Sequence, residues 1–110
     1  MEYRKGILFV RLSGELTKNT IKKFQEEVTN RVEKNGIYSI VFNLEELKEI
    51  DLKGIHGLFY HYELSRQKKG KICICGIHNN QVGHFIKKSR LLGYFTWIDN
   101  ELKAFQYVKI

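Results

Sequence analysis

The sequence has no proline and only two cysteines among its 110 residues. It also lacks glycine-rich or serine-rich stretches, internal repeats and charge blocks long enough to predict a disordered tail. These absences exclude a linker between domains. A chain of 110 residues with 43% hydrophobic content suits one core, so we predict a single domain over residues 1–110.

Long apolar runs are missing as well. The longest stretches, at 7–10 and 37–42, are far shorter than the roughly 20 residues that a membrane helix needs. The amino terminus does not show the basic and then apolar pattern of a secretion signal. We therefore expect a cytoplasmic protein with no membrane insertion.

Few residues suggest a metal site or a disulfide. Cys73 and Cys75 are two residues apart in an apolar run, so on a strand they share one face and cannot easily bridge. We predict two buried thiols. His78 would add a third metal ligand, but no convincing fourth is present, and we predict no metal site.

Motifs for catalysis are missing too. The sequence has no glycine-rich phosphate loop, no nucleophile placed to pair with a histidine, and no carboxylate pair in a hydrolase context. The histidines are predicted to be surface or partly packed residues: His56, His61, His78 and His84. We expect no enzymatic activity and no cofactor.

Positive charge is abundant. The net charge of +7 and the pI near 9.5 suit nucleic acid, an anionic membrane surface or an acidic protein partner. The basic residues are dispersed, with no helix-turn-helix or aromatic RNA-binding signature between them. A solvated basic surface is the favoured interpretation, so we expect no direct nucleic-acid binding. Nucleic-acid binding stays open as a hypothesis, and the sequence does not fix the oligomeric state.

Strand patterns alternate with helix patterns along the chain. An apolar run at 7–13 predicts a central strand buried on both faces, preceded by a short edge strand at 2–4. Further strands are predicted at 37–44, 71–76 and 94–98, with Leu47 and Ile50 in a connection.

The predicted helices lie between these strands. Thr17, Asn19 or Thr20 can cap the first, which then buries residues at helical spacing: Ile21, Phe24, Val28 and Val32. Asp51 is predicted to cap a second helix that ends near Gln67. A third helix follows Asn79 or Asn80, and a short fourth helix follows Asp99 or Asn100. Their predicted inward residues are Val82, Phe85 and Ile86, then Leu102 and Phe105. This alternation predicts an α/β domain with a largely parallel sheet.

The sequence resembles the STAS domain family over nearly its whole length. The matching pieces, in order, are Leu12–Leu16, Ile40–Leu44, Ile50–Ile55, the helix of Val82, Phe85 and Ile86 leading into 89–93, and Ile98–Asp99. The resemblance implies a four- to five-stranded mixed, mostly parallel sheet packed against about four helices, and no enzymatic activity.

Within that family the chain resembles the anti-sigma-factor antagonists. These bind an anti-sigma factor, usually a protein with a kinase-type ATP fold, which can phosphorylate a serine or threonine at the start of the second helix and so end binding. The family turn reads Asp-Ser-Ser/Thr-Gly, whereas this chain has Asp51-Leu52-Lys53-Gly54. Lysine has no hydroxyl group, so phosphorylation at position 53 is excluded.

The second helix has two predicted sides. At about 100° per residue, one side is the expected core stripe: Leu52, Ile55, Leu58, Phe59 and Tyr62. The other side carries Lys53, Gly57, Tyr60 and Leu64, and exposed aromatics are favoured as interface anchors. We therefore predict a partner-binding surface formed by Asp51, Lys53, Gly54, Gly57, Tyr60 and Leu64.

Two questions stay open at this point. Lys53 either gives binding that phosphate cannot switch off or disables the usual partner in favour of another. The main alternative function is that of a structural STAS subunit in a transporter or a stress-signalling assembly.

Overall fold

The computed structural model describes residues 1–90, 93 and 95–109, and these contain five strands and four helices. The strands are β1 (Glu2–Arg4), β2 (Ile7–Leu16), β3 (Ser39–Ile50), β4 (Ile72–Cys75) and β5 (Thr96–Ile98). The helices are α1 (Ile21–Asn35), α2 (Leu52–Gln67), α3 (Asn80–Ser89) and α4 (Glu101–Lys109). Leu91, Leu92, Tyr94 and Ile110, which the sequence placed in or beside predicted elements, lie outside the described residues.

The strands form one mixed sheet in the order β1-β2-β3-β4-β5. β1 pairs antiparallel with β2 through the tight turn at Lys5 and Gly6, and the three remaining pairs are parallel. The predicted α/β class with a mostly parallel sheet is confirmed. β2 is an interior strand, but β3 is the central one, because β1 adds a further strand outside β2.

The first four residues of β2 are buried on both faces, as predicted, whereas Arg11 and Ser13 of the same predicted run are exposed. Each residue of 7–10 is at most 1% exposed. Leu8 and Val10 belong to the larger core cluster with residues of α1, α2 and α3, whereas Ile7 and Phe9 pack with Ala104 of α4 on the other face. Helices on both sides of the sheet therefore account for the missing polar alternation.

β2 and β3 extend further than predicted. They stay paired as far as Leu16 and Ile50, with register shifts after Arg11 and after Gly14. The prediction that Leu47 and Ile50 lie in a connection is wrong. Both side chains are buried, since the extended strand alternates its apolar residues into the core between exposed polar residues.

Two inward assignments in the shorter helices are also wrong. Phe85 of α3 is 39% exposed, because Val82 and Ile86 fill the core-facing positions and Phe85 lies 100° away from Ile86. Leu102 of α4 is 69% exposed, since the first turn of that helix presents it to solvent. Phe105 does turn inward and stacks on Phe9, with ring centroids 6.5 Å apart.

Both cysteines are buried and free, as predicted. They lie on β4 and face the α4 layer with Phe9 and Val41. Burial raises the pKa of each thiol to about 12, so both stay protonated at neutral pH.

His61 corrects the prediction that all four histidines are at or near the surface. Its side chain is fully buried, with the rings of Phe24 and Phe42 at centroid distances of 5.6 and 6.1 Å. Neither ring nitrogen has a hydrogen-bond partner among the described residues. Burial lowers the pKa of His61 to about 4, so the ring is neutral at physiological pH.

This burial predicts a pH-dependent stability. Because the folded-state pKa lies below the reference value of 6.5, the unfolded chain takes up a proton first as the pH falls. Between pH 7 and pH 5 we expect His61 to lower the free energy of unfolding by about 2 kcal/mol. Urea denaturation of the wild type and of His61→Leu measures this difference. The exposed His56→Gln variant is the matched control for the loss of a histidine. An unchanged pH dependence in His61→Leu contradicts the assignment.

Candidate functional site

The predicted partner-binding surface begins where α2 leaves β3, and Asp51 fixes that junction. One carboxylate oxygen accepts a hydrogen bond from the Gly54 N–H at 2.9 Å, which caps the helix as predicted. The other accepts from the Lys18 N–H at 2.9 Å, in the loop between β2 and α1. The Asp51 N–H donates to the Leu16 carbonyl. One side chain therefore caps α2 and holds the adjacent loop against it.

The Asp51 carboxylate is negatively charged at neutral pH. Desolvation acts to raise its pKa, but the backbone N–H groups of Lys18, Gly54 and Lys53 outweigh that effect and hold the pKa below its usual value. The start of α2 thus combines a fixed carboxylate with the exposed ammonium group of Lys53.

Gly54 is required by close packing. A Cβ atom at this position would lie 2.0 Å from the carbonyl oxygen of Leu16 and 2.9 Å from its carbonyl carbon. No side chain fits without moving backbone, so α2 starts directly against the end of β2. Gly54 is buried, and it sets the position of the start of α2 against β2.

Gly57 is not on the outward side of α2. It is buried, and a Cβ there would lie 2.3 Å from Ile21 Cδ1 of α1. The predicted exposure was wrong because α1 packs against this side of α2, which a helical projection of one segment does not show.

Leu52 is also misplaced by the sequence analysis. It was predicted in the core stripe but is 50% exposed. Leu16 and Ile50 already fill the core beneath the first turn, so Leu52 projects away from it. The core side of the helix is otherwise as predicted, with Ile55 and Leu58 buried and Phe59 and Tyr62 packed against the core.

The remaining predicted residues do lie at the surface. Lys53 is exposed, Tyr60 is 49% exposed, and Leu64 is half-buried. The Tyr60 ring meets the buried His61 ring edge-on at 5.2 Å, which fixes one side of the aromatic ring. We call Asp51, Leu52, Lys53, Tyr60 and Leu64 the α2 surface.

One exposed aromatic residue beside the α2 surface was not predicted as part of the site. Phe85 of α3 lines a shallow cleft together with Ile50 and Val82, beside the start of α2. Val82 and Ile86 are spaced four residues apart and already supply the buried side of α3. That spacing was the signal that Phe85 could be exposed.

The site has no feature of a metal centre. Within residues 1–90, 93 and 95–109, no group of three histidine, cysteine or acidic side chains could hold a metal ion. No helix in this part of the chain is long and apolar enough to cross a membrane.

Comparison with known proteins identifies the family. The sequence pattern of the STAS domain matches residues 1–104. The chain belongs to the STAS domain family. An anti-sigma F factor antagonist from Paenibacillus polymyxa is 29% identical to this STAS domain over 110 residues, covering 100% of this chain and 93% of the relative. Family and relative together identify a non-catalytic regulatory protein.

Solved structures share the fold of this STAS domain. A candidate anti-sigma factor antagonist from Thermotoga maritima has a TM-score of 0.90 at 15% identity, covering 99% of this chain and 92% of that one. The unphosphorylated form of the anti-sigma factor antagonist SpoIIAA has a TM-score of 0.74 at 14% identity, covering 99% and 94%. At these identities the likeness establishes the fold alone.

The two glycines of α2 give a stability prediction. Gly54→Ala is expected to lower the free energy of unfolding by more than about 3 kcal/mol, because the new methyl group meets backbone. Gly57→Ala should cost less than about 1 kcal/mol, because the Ile21 side chain can rotate away and alanine favours the helix. Denaturant unfolding of both variants tests this order, and equal losses would contradict it.

Proposed function

We propose that this STAS domain is an anti-sigma-factor antagonist that acts in the cytoplasm by binding an anti-sigma factor with a kinase-type ATP fold. Its curated relative, which matches over the full length of the chain, is an anti-sigma F factor antagonist. The partner meets the start of α2, and phosphate at position 53 does not switch the complex.

The exposed first turns of α2 are the observation that carries this proposal. The Asp51 cap and the Gly54 contact hold the helix start in one position, so the surface is ordered before a partner arrives. A preordered surface loses less conformational entropy on binding. Leu52 and Tyr60 supply exposed apolar and aromatic area, which suits the anchors of an interface.

The charge at position 53 bears on the choice of partner surface. A lysine at a helix start lies near the positive end of the helix dipole, where a cation is mildly unfavourable. An acidic patch on the partner would offset this unfavourable interaction by attracting the Lys53 ammonium group. The same acidic patch would repel a phosphorylated side chain, so lysine and phosphate have opposite effects on one complex.

The α2 surface can be tested by calorimetry with the purified anti-sigma factor. Lys53→Glu and Tyr60→Ala are each expected to weaken binding about tenfold or more, since each removes an exposed side chain from the middle of the interface. Lys109→Glu and Tyr107→Ala are the matched controls, because they make the same changes at exposed residues of α4, on the other face of the sheet. Unchanged affinity for both α2 variants would exclude this surface.

A second experiment tests the missing switch. With the anti-sigma factor and ATP, we expect the wild type to gain no phosphate at position 53, whereas Lys53→Ser supplies a hydroxyl beside the Asp51 cap and accepts one. Peptide mass spectrometry locates the modification. Phosphate on neither protein, although both bind the partner, would show that the partner is not a kinase for this position.

A further inference from the structure

The positive charge of the domain is concentrated at one end of the sheet. Strands β2 to β5 run parallel, so their amino ends lie together, and α1, α2 and α3 end there before the chain enters the next strand. The end of α4 joins them, since Lys109 Nζ is 3.8 Å from the Cβ position of Gly6. We call this region the amino-end face: the β1–β2 turn, the last turns of the helices, and the segment that enters β4.

The amino-end face carries more than the whole net charge of the chain. It holds eleven of the 19 lysines and arginines but only two of the 12 acidic residues, which gives +9 against −2 for the rest of the chain. All eleven basic side chains are exposed: Lys5, Arg31, Lys34, Arg66, Lys68, Lys69, Lys71, Lys87, Lys88, Arg90 and Lys109. The two acidic residues are Glu33 and Glu63.

These cations are almost entirely without carboxylate partners. Of the eleven, only Arg66 has a carboxylate within 4.0 Å in the described part of the chain, that of Glu63 at 3.5 Å. By contrast, Arg4, next to the β1–β2 turn, and Arg11, further along β2, are both paired with Glu2 and Glu101. The positive charge of the amino-end face is therefore not neutralised within the described part of the domain, and it can attract an external anion.

Helix dipoles do not explain the whole arrangement. Cations in the last turns, such as Lys34, Arg66 and Lys87, stabilise the negative ends of their helices. Lys5 lies in the β1–β2 turn, whereas Lys69 and Arg90 directly follow the ends of α2 and α3. These are the three non-glycine residues of the described chain with positive φ, at 49°, 62° and 61°. Glycine or asparagine would suit such turns better. Each of these three turns thus has a basic residue, and not glycine, at its positive-φ position on the amino-end face.

The geometry points to the amino-end face as a site for peripheral binding to anionic phospholipid headgroups. Eight of the eleven cations are lysines, which act as point charges and suit a surface of many phosphates. Trp97 and Tyr107, each 36% exposed, lie beside Lys87 and Lys71 with ring contacts of 5.9 and 5.7 Å. Tryptophan and tyrosine rings are favoured at the headgroup level of a bilayer.

Nucleic acid fits this face less well. The described part of the face consists of turns and helix ends, so it offers no helix side or β-ribbon to enter a major groove. Tyr38 and Tyr107 each have a lysine over the ring, Lys68 and Lys71 respectively, which competes with the stacking of a base.

Vesicle sedimentation tests the inference with the whole protein. At low salt, the wild type is expected to bind vesicles of phosphatidylcholine mixed with phosphatidylglycerol and not to bind vesicles of phosphatidylcholine alone. Bound protein is expected to dissociate as the salt concentration rises. Replacing Lys34, Lys88 and Lys109 by glutamine should lower the partition coefficient about 100-fold, since each lysine near an anionic surface contributes roughly fivefold.

A second triple variant removes the same charge elsewhere. Lys22→Gln, Lys23→Gln and Lys48→Gln are also exposed lysines, but they lie outside the amino-end face, and this control should lose less than about fivefold. Equal losses in the two triple variants, or no binding of the wild type to anionic vesicles, would overturn the proposal. So would binding of the wild type to a DNA or RNA oligonucleotide without vesicle binding, which would assign the face to nucleic acid.

Binding of the anti-sigma factor is the separate readout. The amino-end triple variant should keep its affinity for that partner, because the changed lysines lie away from the α2 surface. Loss of vesicle binding with unchanged partner affinity therefore assigns lipid binding to the amino-end face. Failure of the wild type to bind the anti-sigma factor would contradict the proposed function and not the lipid-binding proposal.

Discussion

The structure depends on the direct contact between the start of α2 and the end of β2. Gly54 lets the helix reach the Leu16 carbonyl, and Asp51 joins the two segments with hydrogen bonds to Gly54 and Lys18. Without the glycine, α2 would have to move away from the sheet, and the core residues Ile55 and Leu58 would move with it. The cap and the glycine are thus structural requirements of the turn, whether or not a neighbouring side chain accepts phosphate. This explains how the turn can keep both residues while carrying lysine at position 53.

Local patterns predicted most of the fold. The caps at Asp51 and Asn79 and the buried start of β2 each arise within a few residues, and each is confirmed. The errors concern contacts between distant segments. Leu47 and Ile50 belong to β3 because β2 continues beside them, and Gly57 is buried because α1 covers it. A single segment does not contain that information.

The burial of His61 and its lowered pKa also depend on contacts between distant segments. A helical projection places it near the core stripe, yet histidine is seldom fully buried, so the sequence favours the surface. In the structure, Phe24, Phe42 and Tyr60 surround the ring, and neither nitrogen has a partner among the described residues. Phe24 belongs to α1, Phe42 to β3 and Tyr60 to α2. The pKa of His61 is lowered because the packing of these elements buries its ring.

The distribution of charge connects the proposed partner with the proposed membrane surface. In a parallel α/β sheet the helices return against the strands, so the beginning of α2 and the amino ends of the strands are at opposite ends of the domain. A domain resting on anionic lipid through its amino-end face would present Lys53 and Tyr60 toward the aqueous side. The remaining half of the domain carries a net charge of −2, which a negatively charged surface would repel. Electrostatics alone would therefore orient the molecule, and both sites could be occupied together.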